Sequence, residues 1–178
     1  MMALADLAAP ALSGDQVHTM DELVVFLQRF ETLHGLKCWE ITDIESRIGQ
    51  PLPKVYTQFL TIMGRGGGDY MRGSSAFYEE LSSLQEGGEE LMAENGLPPL
   101  PDNCFVFWMH QGYQLAIFYL NDGDDPPVYY YCEGYGQKGF ELISYSLTDF
   151  FVYQLADTYP ERKIMIPDMP PSPIRRRD

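Results

Sequence analysis

The spacing of apolar residues changes character near the middle of this 178-residue chain. Before a stiff proline-rich connector at 97–101, apolar side chains recur every three or four residues, as on one face of an α-helix. After the connector, segments rich in aromatic residues alternate with the period of two that is typical of β-strands. Helices first, then a run of strands, then a closing helix predict an α+β fold rather than βαβ units.

Local signals predict where the helices begin and end. Apolar stripes indicate helices over 20–35, 42–49 and 53–64, each ended by a glycine. Thr42 and Glu45 have the spacing of a capping box, which places the start of the second helix. The acidic segment that precedes the connector predicts one or two further short helices.

Four strands are predicted in the second half, over 104–110, 113–120, 128–133 and 140–144. In the first and third strands the residues that point to either face are apolar. We therefore expect a mostly antiparallel sheet of about four or more strands with helices on both faces. Residues 111–112 are a candidate two-residue hairpin turn. A final helix is predicted from Ser146, which supplies an N-cap.

The length corresponds to one domain. We expect 1–19 to be a loosely ordered lead-in, 20–160 the folded domain, and 161–178 a proline-rich basic tail that includes three consecutive arginines. The three cysteines form no CxxC motif, and no basic, apolar leader or long apolar run is visible. These features predict a cytoplasmic location.

Charge restricts the class of partner. Twelve basic residues against 26 acidic ones give a net charge of −14, which argues against binding nucleic acid or an anionic membrane. Between Arg72 and Lys138 there is no lysine or arginine but there are eleven acidic residues. Such a block can steer a cationic protein towards it. The alternative is a solvated acidic face.

Three candidate chemical sites fail on closer inspection. The acidic run 122–125 has the spacing of an EF-hand loop, but Pro127 occupies the position where glycine is needed. The glycine loop at 64–68 lacks the Lys-Ser/Thr of a phosphate-binding loop. Cys104 and His110 are expected on one strand face but about 20 Å apart, too far for a catalytic pair. We therefore predict no metal, no cofactor and no catalytic residue.

The aromatic residues of the strands divide between the core and the surface. We assign Phe105, Phe107, Phe118 and Tyr130 to the core. Tryptophan and tyrosine are frequent anchors of protein interfaces, and Trp108 and three tyrosines are candidates for the open face. Together with nearby acids they form the predicted partner-binding set: Asp69, Tyr70, Glu79, Glu80, Trp108, Asp122, Asp124, Asp125, Tyr129, Tyr131 and Tyr135.

Residues 45–60 follow the pattern E-x-x-I-G-x-x-L-P-x-x-Y-x-x-F-L. This pattern resembles the opening signature of the SUKH superfamily, in its Smi/Knr branch. The glycine loop, the aromatic strand at 128–131 and the closing Ser-Leu-Thr-Asp-Phe-Phe run at 146–151 follow in the family's order. The resemblance covers roughly 40–156, while the acidic insert at 78–95 and the basic tail depart from it.

The resemblance implies a binding module without catalytic residues, and bacterial members are mostly thought to be toxin immunity proteins. We therefore expect a protein that neutralises a cognate toxin domain by stoichiometric occlusion through an acidic, aromatic-bearing surface. The toxin is expected to be basic, nuclease-like or otherwise active in the cytoplasm. The alternatives are a regulatory scaffold for a cell-wall or signalling protein, and an enzyme whose site is assembled from distant residues.

Overall fold

The computed structural model describes residues 16–171. This part of the chain forms an α+β domain with five α-helices and a five-stranded sheet, as the sequence predicts. The helices are α1 (Met20–Leu27), α2 (Cys38–Ile48), α3 (Lys54–Met63), α4 (Leu81–Glu94) and α5 (Leu147–Thr158). The strands are β1 (Ser74–Ser75), β2 (Cys104–His110), β3 (Gln114–Tyr119), β4 (Val128–Cys132) and β5 (Glu141–Ser144).

The strands form an antiparallel meander in the order β1-β2-β3-β4-β5. The sequence does not predict β1, because a two-residue strand has no periodicity to recognise. The short β1 pairs only with Met109 and His110, and a side chain of α4 hydrogen-bonds the rest of that edge of β2. The Gln85 amide donates to the Val106 carbonyl at 2.7 Å and accepts from the Val106 N–H at 3.2 Å. This pairing satisfies an edge that would otherwise be open to another strand.

A bulge in β2 changes which side chains share a face. Val106 pairs with Ile117, but Trp108 pairs with Ala116, so Phe107 is an extra residue in the ladder. As a result, the side chains of Phe107 and Trp108 both lie on the face of the sheet that α5 covers, where each contacts the Phe150 ring.

The bulge also overturns the predicted relation between Cys104 and His110. Cys104 pairs with Tyr119, on the face covered by α4, whereas His110 pairs with Gln114 on the opposite face. The expectation that both side chains share a face is therefore wrong, because strict alternation does not continue through a bulge.

The main core lies between the sheet and the helices α3 and α5. Phe59 and Phe151 stack with ring centroids 4.6 Å apart, and Tyr56 packs against Phe118 at 5.2 Å. The four strand aromatics assigned to the core are all buried, at 6% exposure or less. On the other face α4 packs closely on β2 at Gly88. A side chain there would not fit easily, because its Cβ would lie 3.2 Å from the Val106 side chain.

Two helix boundaries differ from the prediction. The helix α2 begins at Cys38, where the Glu40 carboxylate accepts from the Lys37 N–H at 2.9 Å. Thr42 lies inside this helix, so the predicted start there is wrong. The predicted end of α2 at Gly49 is confirmed by its left-handed conformation, with φ of 76°. The helix α1 ends at Leu27, well before the predicted glycine.

The C-terminal segment packs on the domain as far as it is described. After a short 3₁₀ helix (Pro160–Arg162), residues 163–171 form no helix or strand, yet Ile164 and Pro170 are buried. The three tail arginines and most of the predicted lead-in lie outside the described residues. Within 16–171, none of the helices combines the length and apolarity needed to cross a membrane.

Candidate partner-binding surface

Several of the predicted binding acids have partners within the protein. Asp69 forms an ion pair with Arg72 at 2.8 Å, and Glu79 forms one with Arg65. The Glu80 carboxylate accepts from two backbone N–H groups in the turn before α4, at 3.1 and 3.4 Å. These three carboxylates therefore stabilise local structure, and their charge is partly compensated.

The loop at 122–125 joins the first turns of two helices. The Asp125 carboxylate accepts from the Thr148 N–H at 2.9 Å, at the start of α5. The Asp124 carbonyl accepts from the Val55 N–H at 2.9 Å, at the start of α3. Asp122 and Asp124 keep exposed side chains.

Three of the predicted aromatic contacts are buried. Tyr70, Trp108 and Tyr131 are only 3%, 5% and 3% exposed. Tyr70 donates its hydroxyl to the Phe151 carbonyl at 3.0 Å. The interpretation of these three residues as surface anchors is corrected by their burial, which for Trp108 follows from the bulge in β2.

Tyr129 lies at the edge of the core on the face covered by α4. It is half-buried and pairs across the sheet with Ile117, while Tyr119 pairs with Cys104 on the same face. The rings of Tyr119 and Tyr129 meet edge to face with centroids 5.2 Å apart. Tyr135 is 38% exposed in the turn after β4.

Acidic side chains lie at this end of the sheet. Burial, together with the smaller effect of the negative charges of Asp102 and Glu89, raises the pKa of Cys104 to about 11. Burial also raises the pKa of Tyr119, and Asp122 contributes in the same direction. Asp102 lies two residues before Cys104, whose strand partner is Tyr119, and the Asp122 N–H donates to the Tyr119 carbonyl at 3.2 Å. Glu89 follows Gly88 on α4, and Gly88 packs on Val106 of β2. Asp102 and Asp122 therefore lie beside the pair, and Glu89 lies on the helix that covers the same face of the sheet.

We call this set the acidic tyrosine surface: Glu89, Asp102, Tyr119, Asp122 and Tyr129. The three carboxylates are exposed, and none takes part in an ion pair between residues of the described region. The surface therefore combines uncompensated negative charge with aromatic rings that are partly accessible.

The sequence identified only part of this surface. Asp122 and Tyr129 belong to the predicted set, and Glu89 and Asp102 belong to the eleven acids between Arg72 and Lys138. Tyr119 was not singled out, because its position depends on the β2–β3 register that places it opposite Cys104. The only available signal was the hairpin itself, since a known turn length would have defined that register.

Helices that precede an antiparallel meander, followed by one closing helix, define a small α+β domain of the SUKH type. Residues 35–152, about two thirds of the chain, match the model of the SMI1 / KNR4 family (SUKH-1), and the chain belongs to this family. The family resemblance of the Leu-Pro unit and its surroundings is thereby confirmed. A comparison with curated proteins found no match.

Proposed function

We propose that this protein is an immunity protein that binds a cognate basic toxin domain and neutralises it by occupying its surface. Membership of the SMI1 / KNR4 family supports the proposal, because that family includes toxin immunity proteins. The acidic tyrosine surface is the observation that carries the argument within this chain.

Each component of the surface has a role in such binding. Glu89, Asp102 and Asp122 supply a field of one sign that attracts a cationic domain and speeds its encounter. Tyr119 and Tyr129 supply aromatic area that becomes desolvated at the centre of a contact, where binding energy concentrates. The carboxylates then occupy positions at which a basic toxin would hold an anionic substrate.

The proposed mechanism is stoichiometric and requires no chemical step. A contact of standard size, about 1,600 Å² in total, is enough to cover a catalytic groove. Strand pairing and the edge-to-face contact hold Tyr119 and Tyr129 in place, so little ordering of these side chains is needed on binding. Asp69, Glu79 and Glu80, which have partners in the protein, would then serve mainly to hold the loops beside α4.

The test is co-expression with the product of the adjacent gene in a bacterial host, scored by growth and by co-purification. The triple variant Glu89→Lys, Asp102→Lys, Asp122→Lys should lose protection and associate at least tenfold more slowly at low salt. Association of the unmodified protein should slow as salt is added.

A matched control reverses three exposed acids elsewhere: Asp157→Lys, Glu161→Lys and Asp168→Lys. This control changes the net charge equally, so it separates a local surface from a general charge effect. We expect it to retain protection. A first triple variant that protects and binds as well as the unmodified protein would overturn the proposed surface. Absence of any complex would overturn the immunity function for that gene pair.

A further inference from the structure

The strand β5 is the last strand of the sheet within residues 16–171. It pairs with β4 on one side, and no strand of the described region lies on its other side. At the opposite end of the sheet, β1 and the Gln85 side chain bond the edge of β2. The outer edge of a last strand is where a further extended segment can pair through its backbone.

The C-terminal segment leads to this strand. After the 3₁₀ helix that follows α5, residues 163–171 run back to β5, where the Ser144 Oγ and Met169 Sδ atoms are 3.7 Å apart. Met169 and Ile143 also line the same cavity between the sheet and α5, and Pro170 is buried. The last described residues therefore lie against the end of β5.

The direction and length of the following residues fit the edge of β5. This strand ends at Ser144, and the chain turns there into α5. A segment that starts beside Ser144 can therefore follow β5 only by running back towards Glu141, antiparallel to it. Seven residues, 172–178, follow Pro171 in the sequence. In extended form they span up to about 23 Å, whereas the four residues of β5 span about 13 Å.

The proline pattern of these residues indicates which backbone groups would pair. In an antiparallel pair, the N–H and C=O groups of every second residue point to the neighbouring strand, and those between point away. Pro171 and Pro173 have no N–H and share one parity, so they suit the outward positions. Ser172 and Ile174 are then the residues that face β5. Prolines are tolerated in this way only on the outermost strand of a sheet.

The charges at the far end of β5 also suit such a segment. Residues 175–177 are arginines, and an antiparallel path carries them past Glu141. Glu133 follows β4 at the same end of the sheet, because Tyr130 of β4 pairs with Glu141. Lys138 lies in the turn between β4 and β5, so these two acids and one lysine leave a net negative charge. This charge favours the arginines modestly.

We propose that residues 172–177 pair with the outer edge of β5 as a sixth, antiparallel strand of the sheet. The backbone groups of Ser172 and Ile174 face β5, and the arginines lie near Glu133 and Glu141. The occupant of this edge is a segment of the same chain, and its pairing prevents β5 from joining the sheet of another molecule. The inference does not depend on the proposed toxin contact, since the acidic tyrosine surface includes no residue of β5 or of the C-terminal segment.

Amide hydrogen exchange of the ¹⁵N-labelled full-length protein tests the pairing residue by residue. We expect the amides of Ser172 and Ile174 to exchange about tenfold or more slowly than those of an unstructured chain. The Arg175 amide, at an outward position, should exchange at the unstructured rate. This alternation distinguishes a paired strand from a segment held only by charge. Exchange at the unstructured rate at all three positions would overturn the proposal.

Two substitutions at one position separate the backbone pairing from the side chain. Ser172→Pro removes an inward N–H and should abolish the protection of the Ile174 amide, whereas Ser172→Ala keeps the N–H and should retain it. Arg175→Pro, which places proline at an outward position, should also retain it. The other amide signals report whether the domain stays folded.

Protection of Ile174 that survives Ser172→Pro would contradict the assigned parity. Protection that disappears on dilution, with dimers detected by sedimentation, would assign the edge of β5 to a second copy and overturn pairing within one chain.

Discussion

Tyr119 and Tyr129 meet edge to face with ring centroids 5.2 Å apart, on adjacent strands and on the sheet face covered by α4. Aromatic pairs across strands stabilise a sheet modestly, by about 0.2–1 kcal/mol. The same rings, half-buried and bordered by carboxylates, are suited to contact a partner. Stability and binding should therefore respond differently to changes in this pair.

The Tyr129→Ala substitution separates these two roles. If Tyr129 anchors the toxin domain, the affinity should fall about 30-fold or more, as for an interface hot spot. Calorimetric titration measures the affinity, and urea denaturation measures the free energy of unfolding. The matched control is Tyr145→Ala, since Tyr145 is 56% exposed. An affinity unchanged in Tyr129→Ala would remove this tyrosine from the contact.

Thiol reactivity tests the acidic cluster without any partner. With a pKa of about 11, only about one Cys104 thiol in a thousand is ionised at pH 8. Cys104 should react slowly, because thiolate is the reactive form. Cys38 is exposed and Cys132 is buried. A disulfide reagent should therefore label Cys38 first, and Cys38→Ser should remove the fast phase.

In the Cys38→Ser background, Asp102→Asn should speed the labelling of Cys104, because removing a negative charge lowers the pKa of the thiol. Asp157→Asn, on the opposite side of the sheet, is the control and should have no effect. Equal rates in Asp102→Asn and its parent would show that this carboxylate lies away from Cys104.

Asp125 and Asp124 are adjacent aspartates with different roles. The Asp125 carboxylate accepts from the Thr148 N–H at 2.9 Å, so Asp125→Ala should cost about 1 kcal/mol of unfolding free energy, as loss of a helix cap does. The Asp124 side chain is exposed, and Asp124→Ala should change stability by less than about 0.5 kcal/mol. Thermal and urea denaturation compare the two. Equal losses would mean that the carboxylate contact with α5 contributes nothing.

Glu40 makes the fold sensitive to acid. The bond from the Lys37 N–H, and then the interaction with Arg65, hold the pKa of Glu40 below its ordinary value. Because the folded pKa is lower than the unfolded one, this stabilisation is complete above the unfolded value of about 4.3. It is lost as the pH falls through the folded pKa.

The Glu40→Gln variant should be less stable near neutral pH and should lose less stability on acidification. Urea denaturation at several pH values between neutral and about pH 3 measures this difference. The control is Asp43→Asn, which alters another acid of the same helix, one whose carboxylate pairs with the exposed Arg47 side chain. Identical pH profiles for Glu40→Gln and the unmodified protein would contradict the assignment.

Local sequence patterns determined the class of fold and the order of its elements. Gly49 ends α2 in the left-handed conformation, and the Ser146 hydroxyl accepts from the Asp149 N–H at 3.0 Å at the start of α5. Both features depend on residues within one turn of each other, so their physical causes are present in a short stretch of chain. The family resemblance depends on the same short patterns.

The composition of the candidate surface was only partly accessible in this way. The absence of lysine and arginine between Arg72 and Lys138 indicates an acidic region, and the sequence shows Tyr129 as a candidate contact. The acidic composition does not indicate that Asp125 accepts from the first turn of α5, or that Glu79 pairs with Arg65. These partners lie 23 and 14 residues away in the chain, so only the fold brings them together.

The tertiary structure alone decided the bulge in β2 and the register of β2 with β3. The bulge turns Trp108 into the core and separates Cys104 from His110, and the register brings Tyr119 beside Cys104. A shift of one residue moves every side chain of a strand to the other face, with little change in its local preference. The register and the bulge are therefore determined by the packing of the sheet against its helices. That packing involves residues far apart in the chain, so no short segment determines it.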